Sequence, residues 1–108
     1  MTMPDLKGLM ETARRIQAEV ARVKEELGGK TVQAETGGGL VRCTVNGKGE
    51  IVALVVEPSI VRVEDKKMIE DLVVGAVNLA LERARQLARD ELAQATGGLP
   101  LPPDMFGG

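Results

Sequence analysis

The sequence predicts an α+β domain of two layers: an N-terminal helix, a three-stranded antiparallel meander and a long C-terminal helix, homodimeric. Three observations lead there. Apolar residues recur in steps of three and four from Leu6 to Leu27. An Asn46-Gly47-Lys48-Gly49 turn separates two stretches rich in valine. A broad apolar face then runs through residues 65–95.

The first helix is read from Asp5 to Leu27. Leu6, Leu9, Ala13, Ile16, Val20, Val23 and Leu27 form an a/d seam, sustained over about three heptads. Asp5 suits the N-cap and Gly28-Gly29 stops the helix. At 1.5 Å per residue the helix is about 35 Å long, more than a small sheet covers. Two readings stay open: the whole seam packs in the core, or part of it packs in a dimer or projects as an arm.

Three strand candidates follow. Lys30–Thr36 is short and polar. Leu40–Asn46 alternates, with Val41, Cys43 and Val45 on one face and Leu40, Arg42 and Thr44 on the other. Cys43 thus reads as a small buried hydrophobe rather than a reactive thiol. Glu50–Glu57 places Ile51, Ala53 and Val55 on one face and Val52, Leu54 and Val56 on the other. Both faces are apolar, so both need cover.

The glycines around these strands, in GGGLVRCTVNGKGE, raise the alternative of a phosphate-binding loop. Such a loop follows a strand and opens a helix, whose N-terminus receives the phosphate. Here the glycines precede one strand and connect it to the next, and no GK[ST] or GxGxxG with strand–helix flanks is present. They are turn residues, with Asn-Gly chosen for positive φ.

Pro58 closes the third strand, and residues 59–63 read as an irregular or single-turn connector. The second helix is expected from Asp65 to Ala95. Met68, Ile69, Leu72, Val73, Ala76, Val77, Ala80, Ala84 and Leu87 make its wide apolar face, and Val74, Leu81, Ala88 and Leu92 extend the flank. So broad a face is buried by more than one neighbour, and a single short chain has little left to bury it. The prediction is an obligate homodimer, its interface formed by Val52, Leu54 and Val56 of the third strand and Leu72, Val73, Val77 and Leu81 of the helix. Residues 1–98 form one domain. Residues 99–108 form an extended Pro/Gly-rich tail, with Leu99, Leu101, Met105 and Phe106 free to dock on a partner surface.

Composition narrows the function. The 108 residues include no Trp or Tyr and one Phe, so burial rests on aliphatic side chains and a small core. Histidine is absent and Ser59 is the only serine, which removes Ser-His and Cys-His nucleophile pairs and histidine zinc sites. The carboxylate doublets Glu64-Asp65, Glu70-Asp71 and Asp90-Glu91 are sequence neighbours that diverge on a helix. An enzyme, a cofactor, a metal and a small-molecule substrate are therefore not expected. One cysteine and no apolar run of spanning length point to the cytoplasm rather than a membrane.

Charge is uneven although the net value is only −2. Residues 5–24 carry five bases (Lys7, Arg14, Arg15, Arg22, Lys24) against three acids, and Arg83, Arg85 and Arg89 follow in the second helix. Such runs are commonly solvated faces, with Glu11–Arg15 and Glu82–Arg85 as pairs within a helix. A two-fold axis would double each cluster and allow several phosphates to be met at once. Without aromatics for base stacking, duplex backbone contact is favoured over single-strand recognition.

The charged first helix, GGGLVRCTVNGKGEIVALVVEPSIV, EDKKMIEDLVVGAVNLALERARQLARDEL and the tail LPLPPDMF together resemble the YbaB/EbfC family of bacterial nucleoid-associated proteins. The small-residue turn before a Val-rich strand, the EPS connector and the EDLV-x3-VN core at Glu70–Asn78 are the most specific parts. The resemblance implies a homodimer with tweezer-like protruding helices. It implies double-stranded DNA binding without enzyme activity, residence in the nucleoid, and a part in nucleoid organisation and gene regulation. Carried to matching regions, it points to Lys7, Arg14, Arg15 and Arg22 on the first helix and Arg85 and Arg89 on the second as DNA contacts. The competing reading is a protein-interaction adaptor of DNA repair or replication, which would use the tail and helix arms.

Overall fold

The computed structural model describes residues 5–97. Helix α1 spans Leu6–Leu27, and the Asp5 carboxylate caps it by accepting the Lys7 N–H at 3.1 Å. Strands β1 (Thr31–Thr36), β2 (Val41–Asn46) and β3 (Ile51–Val56) form an antiparallel sheet in the order β1-β2-β3. Two single 3₁₀ turns, Pro58–Ile60 and Val63–Asp65, lead into helix α2, Lys66–Ala95. This is the predicted α+β order. The expected tail, 99–108, lies outside the described residues.

The two hairpins use their glycines differently. Gly37, Gly38 and Gly39 of the first all hold positive φ. In the second, the Asn46 side-chain oxygen accepts the N–H groups of Lys48 and Glu50 at 3.0 Å each, and positive φ falls on Gly49 rather than Gly47. Gly47 is glycine for want of space. Its N–H donates to the carbonyls of Leu27 and Lys30 at 2.9 Å each, and an added Cβ would lie 2.6 Å from Leu27 Cδ2 and 2.8 Å from the Leu27 oxygen. The turn is thus clamped to the end of α1. Gly47→Ala is expected to cost about 1–3 kcal/mol through overpacking, read as a lower urea midpoint at unchanged slope.

Helix α2 lies on β1 and β2. A stripe of small residues, Ala76, Ala80 and Ala84, is fully buried against Ala34, Val41, Cys43 and Val45. Because these side chains are short, the helix approaches the sheet closely enough to bond it directly. Thr36 Oγ1 donates to the Leu72 carbonyl at 2.7 Å, the Arg83 guanidinium donates to the Gln33 carbonyl, and Lys30 pairs with Glu91 at 2.7 Å. These contacts set α2 antiparallel to β1. They also place Leu72 over the β1–β2 turn, where it would touch a Cβ at Gly37.

Beyond the sheet, α2 meets α1. Val20, Val23, Leu27 and Leu92 form a second core, flanked by Ile16, Leu87, Ala88 and Ala95. Only the C-terminal half of α1 is held. In the other half Leu6 is 73%, Leu9 56% and Met10 57% exposed, so the seam divides between a packed root and a projecting arm.

Strand β3 is left bare. Ile51, Val52, Leu54 and Val55 are exposed, and Val56 is only half-buried. A bulge opposite Thr44 and Val45 pairs Val45 with Ile51 and leaves Val52 as the extra residue. Strict alternation, as read from the sequence, therefore fails at one point: Ile51 joins Leu54 and Val56 in register with the α2-facing residues of β2. The opposite face of the sheet is mainly polar, carrying Gln33, Glu35, Arg42 and Thr44, with Glu35 and Arg42 paired at 2.8 Å.

Candidate nucleic-acid interface

The basic residues of α1 owe their arrangement to helical geometry. At 100° per residue, Lys7, Arg14, Arg15 and Arg22 fall within an arc of about 100°, opposite the seam that Ile16, Val20, Val23 and Leu27 occupy. From Lys7 to Arg22 the stripe extends about 22 Å, comparable with six base-pair steps of about 3.4 Å. Most of it lies on the projecting half, away from the sheet.

The cations differ in how far they are already neutralised. Arg22 bonds Glu19 at 2.9 Å and Glu26 at 2.7 Å, one turn to either side. These bonds raise the arginine pKa further and, led by the hydrogen bond, hold the Glu19 carboxyl below the usual carboxylate range. On α2, Arg85 and Arg89 share Glu82, at 2.8 Å and 3.4 Å. Glu82 is held low in the same way, chiefly by the Arg85 hydrogen bond. Lys7, Arg14 and Arg15 make no ion pair among the described residues. Of six predicted contacts, three are free cations on the arm and three are held by neighbouring glutamates. Arg85 and Arg89 sit on the side of α2 turned away from the sheet, on a separate helix from the α1 stripe.

Of the expected pairing residues, Val52, Leu54 and Val56 lie along the bare strand. Val77 and Leu81, with exposed Val74, project from the α2 flank on the β3 side, and Val73 lies between that flank and the core. Leu72 is on the opposite flank. An open apolar hollow that the sequence does not announce is lined by Val61, Val63 and Ile69 and rimmed by Arg62, Lys66 and Glu70. Its only trace there is the pair of valines, Val61 and Val63, in a connector stretch. Cys43 is buried beneath α2, and desolvation pushes its thiol pKa up, away from nucleophilic chemistry. Among the described residues no cluster of acids and cysteine has the makings of a metal site, and no helix is long and apolar enough to cross a membrane.

A model of the YbaB/EbfC DNA-binding family matches residues 3–99. The chain belongs to that family. Among its relatives, a nucleoid-associated protein of Anaeromyxobacter sp. strain Fw109-5 is 47% identical over 98 residues, which cover 91% of this chain and 95% of that one. A nucleoid-associated protein of Moorella thermoacetica is 41% identical over 102 residues, covering 94% and 98%. The crystal structure of an uncharacterized protein, HP0035 from Helicobacter pylori, superposes with a TM-score of 0.68 at 26% identity, covering 91% of this chain and 99% of that one. In this YbaB/EbfC chain, then, a DNA-binding family and a projecting basic helix coincide.

Proposed function

We propose that the protein is a nucleoid-associated homodimer that binds double-stranded DNA through phosphate contacts and performs no catalysis. The observation that carries this reading is the stripe of unpaired cations, Lys7, Arg14 and Arg15, on the free half of α1 in a chain of a DNA-binding family. Phosphate contacts fix position without reading bases, and no aromatic side chain is available among residues 5–97 to stack on unpaired bases. The names of the relatives support residence in the nucleoid.

Pairing is proposed through β3. Its edge offers unpaired backbone groups, and no charged side chain interrupts IVALVV to discourage a second strand. The α2 flank, with exposed Val74 beside half-buried Val77 and Leu81, and the hollow at Val61 and Val63 add further apolar surface. A second copy brought there duplicates the arm and presents two basic stripes to one duplex.

Mobility-shift competition tests this reading. Duplex DNA is expected to displace a labelled duplex at lower concentration than single-stranded DNA or RNA, with affinity falling linearly in log–log form as salt rises. A flat salt response would exclude phosphate neutralisation as the source of binding.

A further inference from the structure

The projecting half of α1 carries more than its basic stripe. Leu6, Leu9, Met10 and Ala13 continue the apolar seam beyond the point where α2 ends, and nothing among residues 5–97 covers them. On the same side, Gln17, Val20, Ala21 and Lys24 line a shallow groove that leads from the second core onto the arm. Helix geometry puts these eight positions within one arc of about 120°. They form a track, apolar except at Gln17 and Lys24.

We infer that this chain's own segment 98–108 docks along that track, covering the arm's apolar side and leaving its basic stripe open. Three observations select this occupant. The first is position: α2 ends at Ala95, whose side chain packs against the same cluster as Ile16 and Val20, so the segment begins beside the root of the track. Gly97, at φ +65, turns the chain off the helix axis there.

The second is reach and stiffness. GLPLPPDMFGG has three prolines in four consecutive positions, Pro100, Pro102 and Pro103, interrupted only by Leu101. That composition favours a polyproline II ribbon rising about 3.1 Å per residue. From 98 to 106 the ribbon spans roughly 25 Å, against roughly 21 Å from Val20 to Leu6 along α1. A ribbon in which Pro100, Pro102 and Pro103 carry no backbone donor is suited to side-chain docking in an apolar groove.

The third is chemistry. Leu99, Leu101, Met105 and Phe106 are the segment's large apolar side chains, and Phe106 is the only aromatic of the whole chain. Its single charged side chain is Asp104, and the track is bordered by Lys7 and Arg14 and includes Lys24. Leu6, Leu9 and Met10, exposed by more than half, are the surface such side chains would desolvate.

The test uses the full chain. With no Trp or Tyr present, Phe106→Trp is a lone fluorophore. Its emission is expected to lie to the blue of the same chain in urea, and to return to the solvent-exposed position on adding Leu9→Glu, which alters an exposed residue rather than the core. Hydrogen exchange gives the second reading: amides of residues 6–16 are expected to exchange about tenfold faster in a chain ended at Gly97. Solvent-like emission from Phe106→Trp would overturn docking, as would a blue shift indifferent to Leu9→Glu. Protection of residues 6–16 that is equal with and without the segment would show that the segment does not cover the track, and equally overturn the inference. None of these readings involves DNA, so docking and the proposed function stand or fall separately.

Discussion

Leu54→Asp is expected to convert the proposed pair into folded single subunits, with a dissociation constant raised by at least about a hundredfold, equivalent to about 2.7 kcal/mol. The argument rests on where Leu54 lies. It is 44% exposed within one subunit, opposite buried Cys43 on β2 but beyond the cover of α2. Aspartate there stays solvated in a single subunit, so the core of Ala34, Val41, Cys43, Val45 and the α2 alanines is undisturbed. In a pair built on β3, the same carboxylate would be buried without a partner, a cost of several kcal/mol. Sedimentation at micromolar concentration reads the mass, and circular dichroism checks that the helices persist. A Leu54→Asp protein that still sediments as a dimer would place the interface elsewhere.

Reversing Arg14 and Arg15 to glutamate is expected to weaken duplex binding by orders of magnitude at low salt. The log–log salt slope should fall by about 2 to 4 units if each arginine neutralises one phosphate in each subunit. Arg85→Glu with Arg89→Glu should do much less. Both of those guanidiniums already lie against Glu82, so their field at a phosphate is partly cancelled before any DNA arrives. Arg22 falls between, being on the stripe but bonded to both Glu19 and Glu26. Filter binding across a salt series compares the three sets. Equal losses from the α1 and α2 reversals would refute the ranking and return weight to the second helix.

Which parts of this were readable from residues alone follows from the range of the interactions involved. The a/d spacing of α1, the Asp5 cap and the alternation of Val41, Cys43 and Val45 are local, and each appears as read. Gly47 was assigned the wrong reason because its constraint comes from Leu27, distant in sequence but packed on the turn. The bulge at Val52 was invisible because an all-apolar strand keeps no alternation against which a slip could register. The basic positions were visible too, but not their inequality. Glu19, Glu26 and Glu82 could be counted at helical spacing, yet which arginines they hold depends on rotamers that spacing does not choose. Leu72 was grouped with Val77 by hydrophobicity, while its contact at Gly37 puts it on the other flank.

Helix α2 is a single 30-residue rod, laid on the sheet at one end and gripping α1 at the other. In the proposed pair it therefore behaves as one leg of a caliper whose pivot is the meeting of the two β3 edges. Over its length of about 45 Å, a rotation of about 10° at the pivot displaces the far end by about 8 Å, more than two base-pair steps. The width of duplex that the legs accept would then be adjusted by side chains such as Val52 and Val55, which lie on β3 rather than on the basic arm.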